Sequence, residues 1–322
     1  MNDLQHDIQT LCRRHRTGSF ATRADRAGIL HRFGSLVGAE FRKLRLINLS
    51  AKHIQWYVHQ LRGSSSARTG RSLSSGTQKN VLAAIRWLLE QVGKSDLLRR
   101  DNQSLGFAKR GYVTNTSKAI DVSDDVIAEI SRHSPWAAAS LGLTRELGLR
   151  IEESFKIILA QADRGDEIRL TGSWCKGGVP RAVPVFEASQ RVVIDASRTI
   201  ANEGSMIPLG RSYVLHRNFC RAIYNAFGIH RNHGLRHQYA QRRYLHLTGW
   251  PCPACGGPIA AEMTESQYKK DRAARLTVSR EMGHGRIAVV AVYLGSPTLR
   301  IVAESPGNEQ LLDPPLFDER RP

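Results

Sequence analysis

A polar, weakly periodic stretch from about Asp101 to Lys118 divides this chain, and that division constrains the fold more than any other feature of the sequence. At 322 residues the chain is longer than one hydrophobic core usually serves, so two domains are expected, each with a core of its own. The reading is a helical N-terminal domain over residues 1–100, a linker over 101–118, and a second domain over 119–300 with an insertion near 249–274, followed by a tail over 301–322. Residues Met1 to Thr22 are too short for a domain of their own.

Charge narrows the partner. The chain carries 47 Lys and Arg against 29 Asp and Glu, a formal net charge of +18. Each phosphate neutralised by such a cation releases condensed counterions, so a nucleic acid is the favoured polyanion. A membrane is the weaker alternative, because no apolar run is long enough to span a bilayer and no charged segment followed by an apolar one opens the chain. Five cysteines, odd in number and mostly isolated, do not read as a secreted disulfide framework. A reduced intracellular compartment is expected.

The first part has helical periodicity. From Thr22 a helix carries Ile29, Phe33, Leu36 and Val37 on one stripe, and a second begins at Ser50 with Ile54, Val58 and Leu61 before Gly63. Ser75-Gly-Thr-Gln78 has capping-box spacing ahead of Val81, Ile85, Leu88, Leu89 and Val92, and Gly93 stops that helix. Arg62-Gly-Ser-Ser-Ser-Ala-Arg68-Thr-Gly-Arg71 between them is a flexible basic segment that reads equally as a solvated loop or as a phosphate-contacting one. Arg62, Arg68, Arg71, Lys79 and Arg86 are the candidate DNA contacts of this half.

In the second part an ordered set of polar residues stands out: Arg150, Lys176, His233-Gly-Leu-Arg236, His284 and Tyr293. Together they supply cations, proton donors and one phenol, which is what attack on a phosphodiester needs. Arg150 follows a helical pattern broken at Gly148, with Glu153 three residues on as an ordinary ion-pair partner. Glu167–Leu170 and Arg181–Val185 alternate like two short strands, placing Lys176 near a hairpin tip where it would either solubilise the loop or act as an acid. His233 and Arg236 share one helix face by their i, i+3 spacing. Arg217, Arg242 and Arg243 read as cations for a DNA backbone or as solvated charge. His284 and Tyr293 could each be an ordinary half-buried residue, so choosing Tyr293 among eight tyrosines rests on its place after Gly-His.

The pieces Gly-Leu-Arg150-Ile-Glu-Glu, Lys176-Gly-Gly, His233-Gly-Leu-Arg236-His, Met-Gly-His284 and Val-Tyr293-Leu occur in the order that marks the tyrosine recombinases, the phage-integrase family, and over about Thr22 to Gly295 the chain resembles that family. The resemblance implies a mainly α fold with a small β-hairpin, in which a helical core-binding domain and an α+β catalytic domain form a C-shaped DNA clamp. It implies a site-specific recombinase or integrase of a phage or other mobile element. In that reading Tyr293 attacks the scissile phosphate, Arg150 and Arg236 clamp its oxygens, and Lys176 protonates the leaving oxygen. His233 assists as acid or base, His284 donates a hydrogen bond and Glu153 orients the site. The partners implied are double-stranded DNA with specific recombination sites, a homo-tetramer formed on DNA from a monomer in solution, and accessory DNA-bending or directionality factors, in a bacterial or phage setting at the nucleoid of the cytoplasm. The alternatives are a type IB topoisomerase-like enzyme and a noncatalytic DNA-binding protein on the same scaffold.

One stretch departs from the family pattern. His284 comes 48 residues after Arg236, with the excess near Gly249-Trp-Pro-Cys252-Pro-Ala-Cys255-Gly-Gly-Pro258. Cys-x-x-Cys resembles half of a zinc knuckle, with His246 the nearest further ligand, but a Pro/Gly turn with two reduced thiols is the favoured reading. No cofactor is expected to be required. The acidic, proline-containing tail after Gly295 reads either as a segment that docks on a neighbouring protomer or as a disordered one.

Overall fold

The computed structural model describes residues 1–65, 70–109 and 111–298, which form two compact units divided in sequence between Gly111 and Tyr112. Arg68 and the tail over 301–322 lie outside the described residues. The expected linker is shared out between the units. Phe107 is buried in the first core, and the Asp101 carboxylate accepts from the Gln103 and Ser104 amides. In the second unit Asn115 exchanges two hydrogen bonds with the Ser296 backbone, at 2.7 and 3.1 Å, and Ser117 bonds Gln241. A polar, weakly periodic sequence thus satisfies its backbone locally and packs on each side.

The first unit contains α1 (Asp3–Arg14), α2 (Phe20–Glu40), α3 (Ala51–Gly63) and α4 (Ser75–Gln91). α1, not among the expected helices although Leu4, Ile8 and Leu11 recur at i, i+4 and i+7, starts at an Asn2/Gln5 capping box and joins this core through the buried Leu4 and Ile8. Each such side chain contributes roughly 1.5–3 kcal/mol. On α2 the buried stripe runs through Leu30, Phe33 and Val37, while Leu36 is exposed. α4 starts one residue earlier than its capping-box spacing implies: Ser74 accepts from the Thr77 amide, and the Gln78 side chain instead reaches the Leu61 carbonyl. An antiparallel bridge between Ser65 and Ser72 pins the ends of the basic segment.

The second unit contains α5 (Asp124–His133), α6 (Pro135–Leu147), α7 (Ile151–Lys156), α8 (Leu159–Ala162), β1 (Glu167–Leu170), β2 (Arg181–Pro184), α9 (Ala188–Ala201), α10 (Tyr213–Ala226), α11 (His233–Thr248), α12 (Glu265–Glu281) and α13 (Ile287–Leu294). β1 and β2 pair antiparallel, from Glu167 opposite Pro184 to Leu170 opposite Arg181, with Ile168, Leu170 and Val183 facing the core. The architecture is mainly α with one hairpin, as the sequence implies. Leu143, Leu147, Tyr239, Tyr244, Val278, Val290 and Leu294 bring α6, α11, α12 and α13 into one core. Residues 249–264 form two short 3-10 turns, and α12 takes up the rest of the expected insertion. Among the described residues no helix is long and apolar enough to cross a membrane.

Candidate active site

Four segments of the second unit supply the site, and each is positioned by a local rule. α6 ends at Gly148, whose φ of +60° turns the chain and whose missing Cβ leaves room for the Tyr239 ring, so that Arg150 becomes the N-cap of α7. One turn on, the Glu153 carboxylate accepts the Arg150 amide at 2.7 Å and the Arg150 Nη1 at 2.7 Å. α11 opens with His233, Arg236 and His237, which its 3.6-residue repeat puts on one face. α12 ends at Glu281, and the Gly283-His284 turn after it is pinned by the Ser279 hydroxyl donating to the His284 and Arg286 carbonyls. α13 then carries Tyr293.

The Tyr293 ring is buried and surrounded by nitrogen. Its centroid lies 5.5 Å from His233, 4.7 Å from His237 and 6.0 Å from His284, and the Arg236 guanidinium carbon is 5.9 Å from it. No described residue hydrogen-bonds its hydroxyl.

Arg236 is almost fully buried. Its Nη1 donates to the Gly148 carbonyl and its Nη2 to the Met282 carbonyl at 2.9 Å, which fixes the side chain between the α6 end and the His284 turn. Each Nη keeps one further hydrogen. Arg236 Nε, His237 Nδ1 and His284 Nε2 are buried and lack a hydrogen-bond partner. These three polar nitrogens lie around one phenol, on the cluster that also carries the Arg150 and Arg236 cations.

The charges are tuned accordingly. Burial and nearby arginines push His233 and His284 down to about 4, although His233 keeps one face open to solvent at the rim. Burial, then His233 and Lys118, do the same to His237. The imidazoles are therefore neutral near pH 7 and can accept or share a proton. Burial brings Arg236 to about 10, still cationic. Burial opposes the charge of Glu153, yet hydrogen bonds and charge from Arg181 and Arg150 hold its carboxyl at about 2.

Of the expected residues, Arg150, Glu153, His233, Arg236, His284 and Tyr293 converge. Lys176 stands exposed in the β1–β2 turn, and among the described residues no hydrogen bond or ion pair ties it to the cluster. Two further members were not anticipated. His237 was legible, since i+4 from His233 keeps it on the same face. Arg181, at the head of β2, had no sequence signal.

The expected DNA contacts divide by burial. Arg62, Arg71 and Lys79 are exposed in the first unit, while Arg86 is partly buried and donates to the Arg99 carbonyl and Asn102. Arg217 is partly exposed on α10 beside Asn218. Arg243 is buried on Glu281 at 3.0 Å, and Arg242, partly exposed, is paired with Glu146 at 2.9 Å and Glu187 at 3.0 Å. Arg243 neutralises a buried carboxylate, whereas Arg242 joins the buried Glu146 to the partly exposed Glu187. Cys252 is buried and Cys255 exposed. The Cys252 thiol's hydrogen bond draws Cys255 down to about 7, while that contact and burial push Cys252 up. His246 packs tilted against Phe186, with ring centroids 4.8 Å apart, instead of joining them, and among the described residues no three His, Cys, Asp or Glu side chains converge as a metal site.

Comparison with known proteins bears on the family and the fold. Residues 1–98 match the family model described as phage integrase, N-terminal, and residues 108–242 match the one described as integrase. No curated protein matches the sequence. Among solved structures the chain is similar to a lambda integrase tetramer bound to a Holliday junction, at 12% identity and a TM-score of 0.55 over 94% of this chain and 80% of that one. It is also similar to the XerH site-specific recombinase bound to a palindromic difH substrate, at 14% identity and 0.52 over 90% and 80%. A third is the Tn1549 transposon integrase with circular-intermediate DNA, at 10% identity and 0.50 over 91% and 95%.

Proposed function

We propose, from the premise that this chain belongs to the tyrosine recombinase (phage integrase) family, that it is a site-specific DNA recombinase whose nucleophile is Tyr293. The observation that carries the assignment is the buried phenol ringed by His233, His237, His284 and Arg236, with three unpartnered nitrogens beside it. The Tyr293 oxygen attacks the scissile phosphorus and the bond from phosphorus to the 5′ oxygen breaks, leaving a 3′-phosphotyrosyl link and a free 5′ hydroxyl. A phenol is a weak nucleophile at neutral pH, so the proton leaving Tyr293 passes to a neutral imidazole, with His233 the acceptor. Lys176, exposed in the β1–β2 turn, is the group that protonates the leaving oxygen.

Arg150 and Arg236 bear on the nonbridging oxygens, where charge grows in the pentacoordinate transition state, and His284 adds a hydrogen bond. The phosphotyrosyl link keeps the bond energy of the phosphodiester, so rejoining a strand needs neither nucleotide nor metal. The first unit supports the assignment with exposed cations at Arg62, Arg71 and Lys79, which would meet the DNA backbone. We further propose that strand exchange takes place in a homo-tetramer on paired duplexes, in line with the tetrameric lambda integrase.

The test is covalent trapping. The protein is mixed with DNA from its source, denatured in SDS, and the protein-linked ends are sequenced beside a Tyr293→Phe control. Adducts at a few sites that vanish in the control are the expected result. Scattered adducts point instead to a sequence-indifferent topoisomerase, and bound DNA with no adduct defeats the catalytic assignment.

A further inference from the structure

We propose that Arg181 is a positioning residue for this transesterification: it holds Arg150 in place through Glu153 and ties the catalytic segments of the second unit together. The inference rests on the function proposed above. One guanidinium reaches three segments that carry expected catalytic groups. Its Nη1 and Nη2 donate to the Glu153 oxygens at 3.0 and 2.6 Å, and Glu153 in turn accepts the Arg150 side chain and amide. Its Nε donates to the Glu281 carbonyl at 2.8 Å, three residues before His284. Its Nη1 also reaches the Cys175 sulfur at 3.3 Å, immediately before Lys176.

Direct contact with the phosphate is not its role. The Arg181 side chain is only 5% exposed, and all three of its nitrogens are already engaged. Its charge has a second effect. Glu153 alone with Arg150 would neutralise the cation meant for the phosphate, whereas Glu153 shared with Arg181, and 3.9 Å from Arg236, leaves the cluster with net positive charge. The flat, forked geometry matters, because an ammonium cannot serve three acceptors in one plane.

The experiment uses the full chain, the duplex recovered by trapping, and the same duplex with a methylphosphonate at the scissile position, which removes the charge that Arg150 stabilises. Single-turnover cleavage, DNA affinity and thermal midpoint are measured for the unsubstituted protein, Arg181→Gln and Arg181→Lys. Arg181→Gln is expected to slow cleavage of the phosphodiester about 100-fold at unchanged DNA affinity, with Arg181→Lys restoring only part of the loss. On the methylphosphonate the same penalty is expected to shrink at least about tenfold, since Arg150 then has less charge to stabilise. A merely structural arginine would slow both substrates equally. Equal slowing, or a folded variant that cleaves within about twofold of the original, overturns the inference. If Arg181→Gln fails to fold, Arg181→Lys carries the same pair of measurements. Absence of any adduct from the unsubstituted protein defeats the proposed function and this inference together, whereas adducts with an indifferent Arg181 defeat only the latter.

Discussion

The first unit keeps its charges at the surface and an apolar interior, whereas the second folds arginines and carboxylates inside and pairs them. Among the described residues every buried Arg, Asp and Glu lies in the second unit: Arg236, Arg243, Arg275, Glu146, Glu153, Asp271 and Glu281. Among the described residues the first unit buries only Gln5 and His53 of its polar side chains. The contrast teaches what each unit is arranged for. Exposed cations on an apolar fold can meet a flexible polyanion in many registers. Cations held in a desolvated network cannot move, and that fixed placement is what stabilises a transition state. The arrangement is expensive, because buried ions lose hydration and need every partner present.

The largest expected effect follows from removing one of those partners. Glu153→Ala leaves Arg150 and Arg181 facing a void and should destabilise the second unit by roughly 3–5 kcal/mol, measured by chemical denaturation. A loss below about 1 kcal/mol would erase the distinction between the units, since exposed positions show changes of that size.

A second effect comes with pH. His233, His237 and His284 sit at about 4 in the folded protein, below the ordinary 6.5, so the unfolded chain binds more protons between those values. Their contribution is complete above about pH 6.5 and is lost as pH falls towards 4. Glu153, held at about 2 in the folded protein against an ordinary 4.5, adds to the same loss once pH falls below about 5. His53 of the first unit shifts in the same direction, by burial and then Lys52. Denaturation midpoints at pH 7 and pH 5 should therefore differ, and His237→Gln should flatten the difference. Identical slopes in the two proteins would count against the buried-imidazole account.

The smallest effect should come from the first unit. Arg62→Ala with Arg71→Ala is expected to weaken DNA binding at every sequence alike and to lower the salt slope by about one per cation removed. The thermal midpoint should not move. A stability loss beyond about 0.5 kcal/mol would show that these arginines are structural, and the comparison would need redrawing.

Some of this was readable in order along the chain. The helices over Ala51–Gly63 and Ser75–Gln91 and the β1–β2 hairpin follow from periodicity and turn residues, because those rules act over a few neighbours. The same locality explains the failures. Leu36 shared the apolar pattern of α2 yet faces solvent, whereas α1 follows the local rule, with Leu4, Ile8 and Leu11 at i, i+4 and i+7. Arg242 and Arg243 looked like any surface cations, since their partners Glu146 and Glu281 are far away in sequence.

The sequence by itself determined the chemical inventory and its order: two arginines, a lysine, two histidines and a late tyrosine, on helices whose spacing already put His233 and Arg236 on one face. Only the tertiary structure decided which charges are buried, that His237 completes the ring around Tyr293, and that Arg181 bridges Glu153, Glu281 and Cys175. The physical reason is range. Helix spacing, capping and turns are settled among residues a few positions apart, whereas desolvation and ion pairing depend on what the folded chain brings within 3 Å from 28 or 100 residues away.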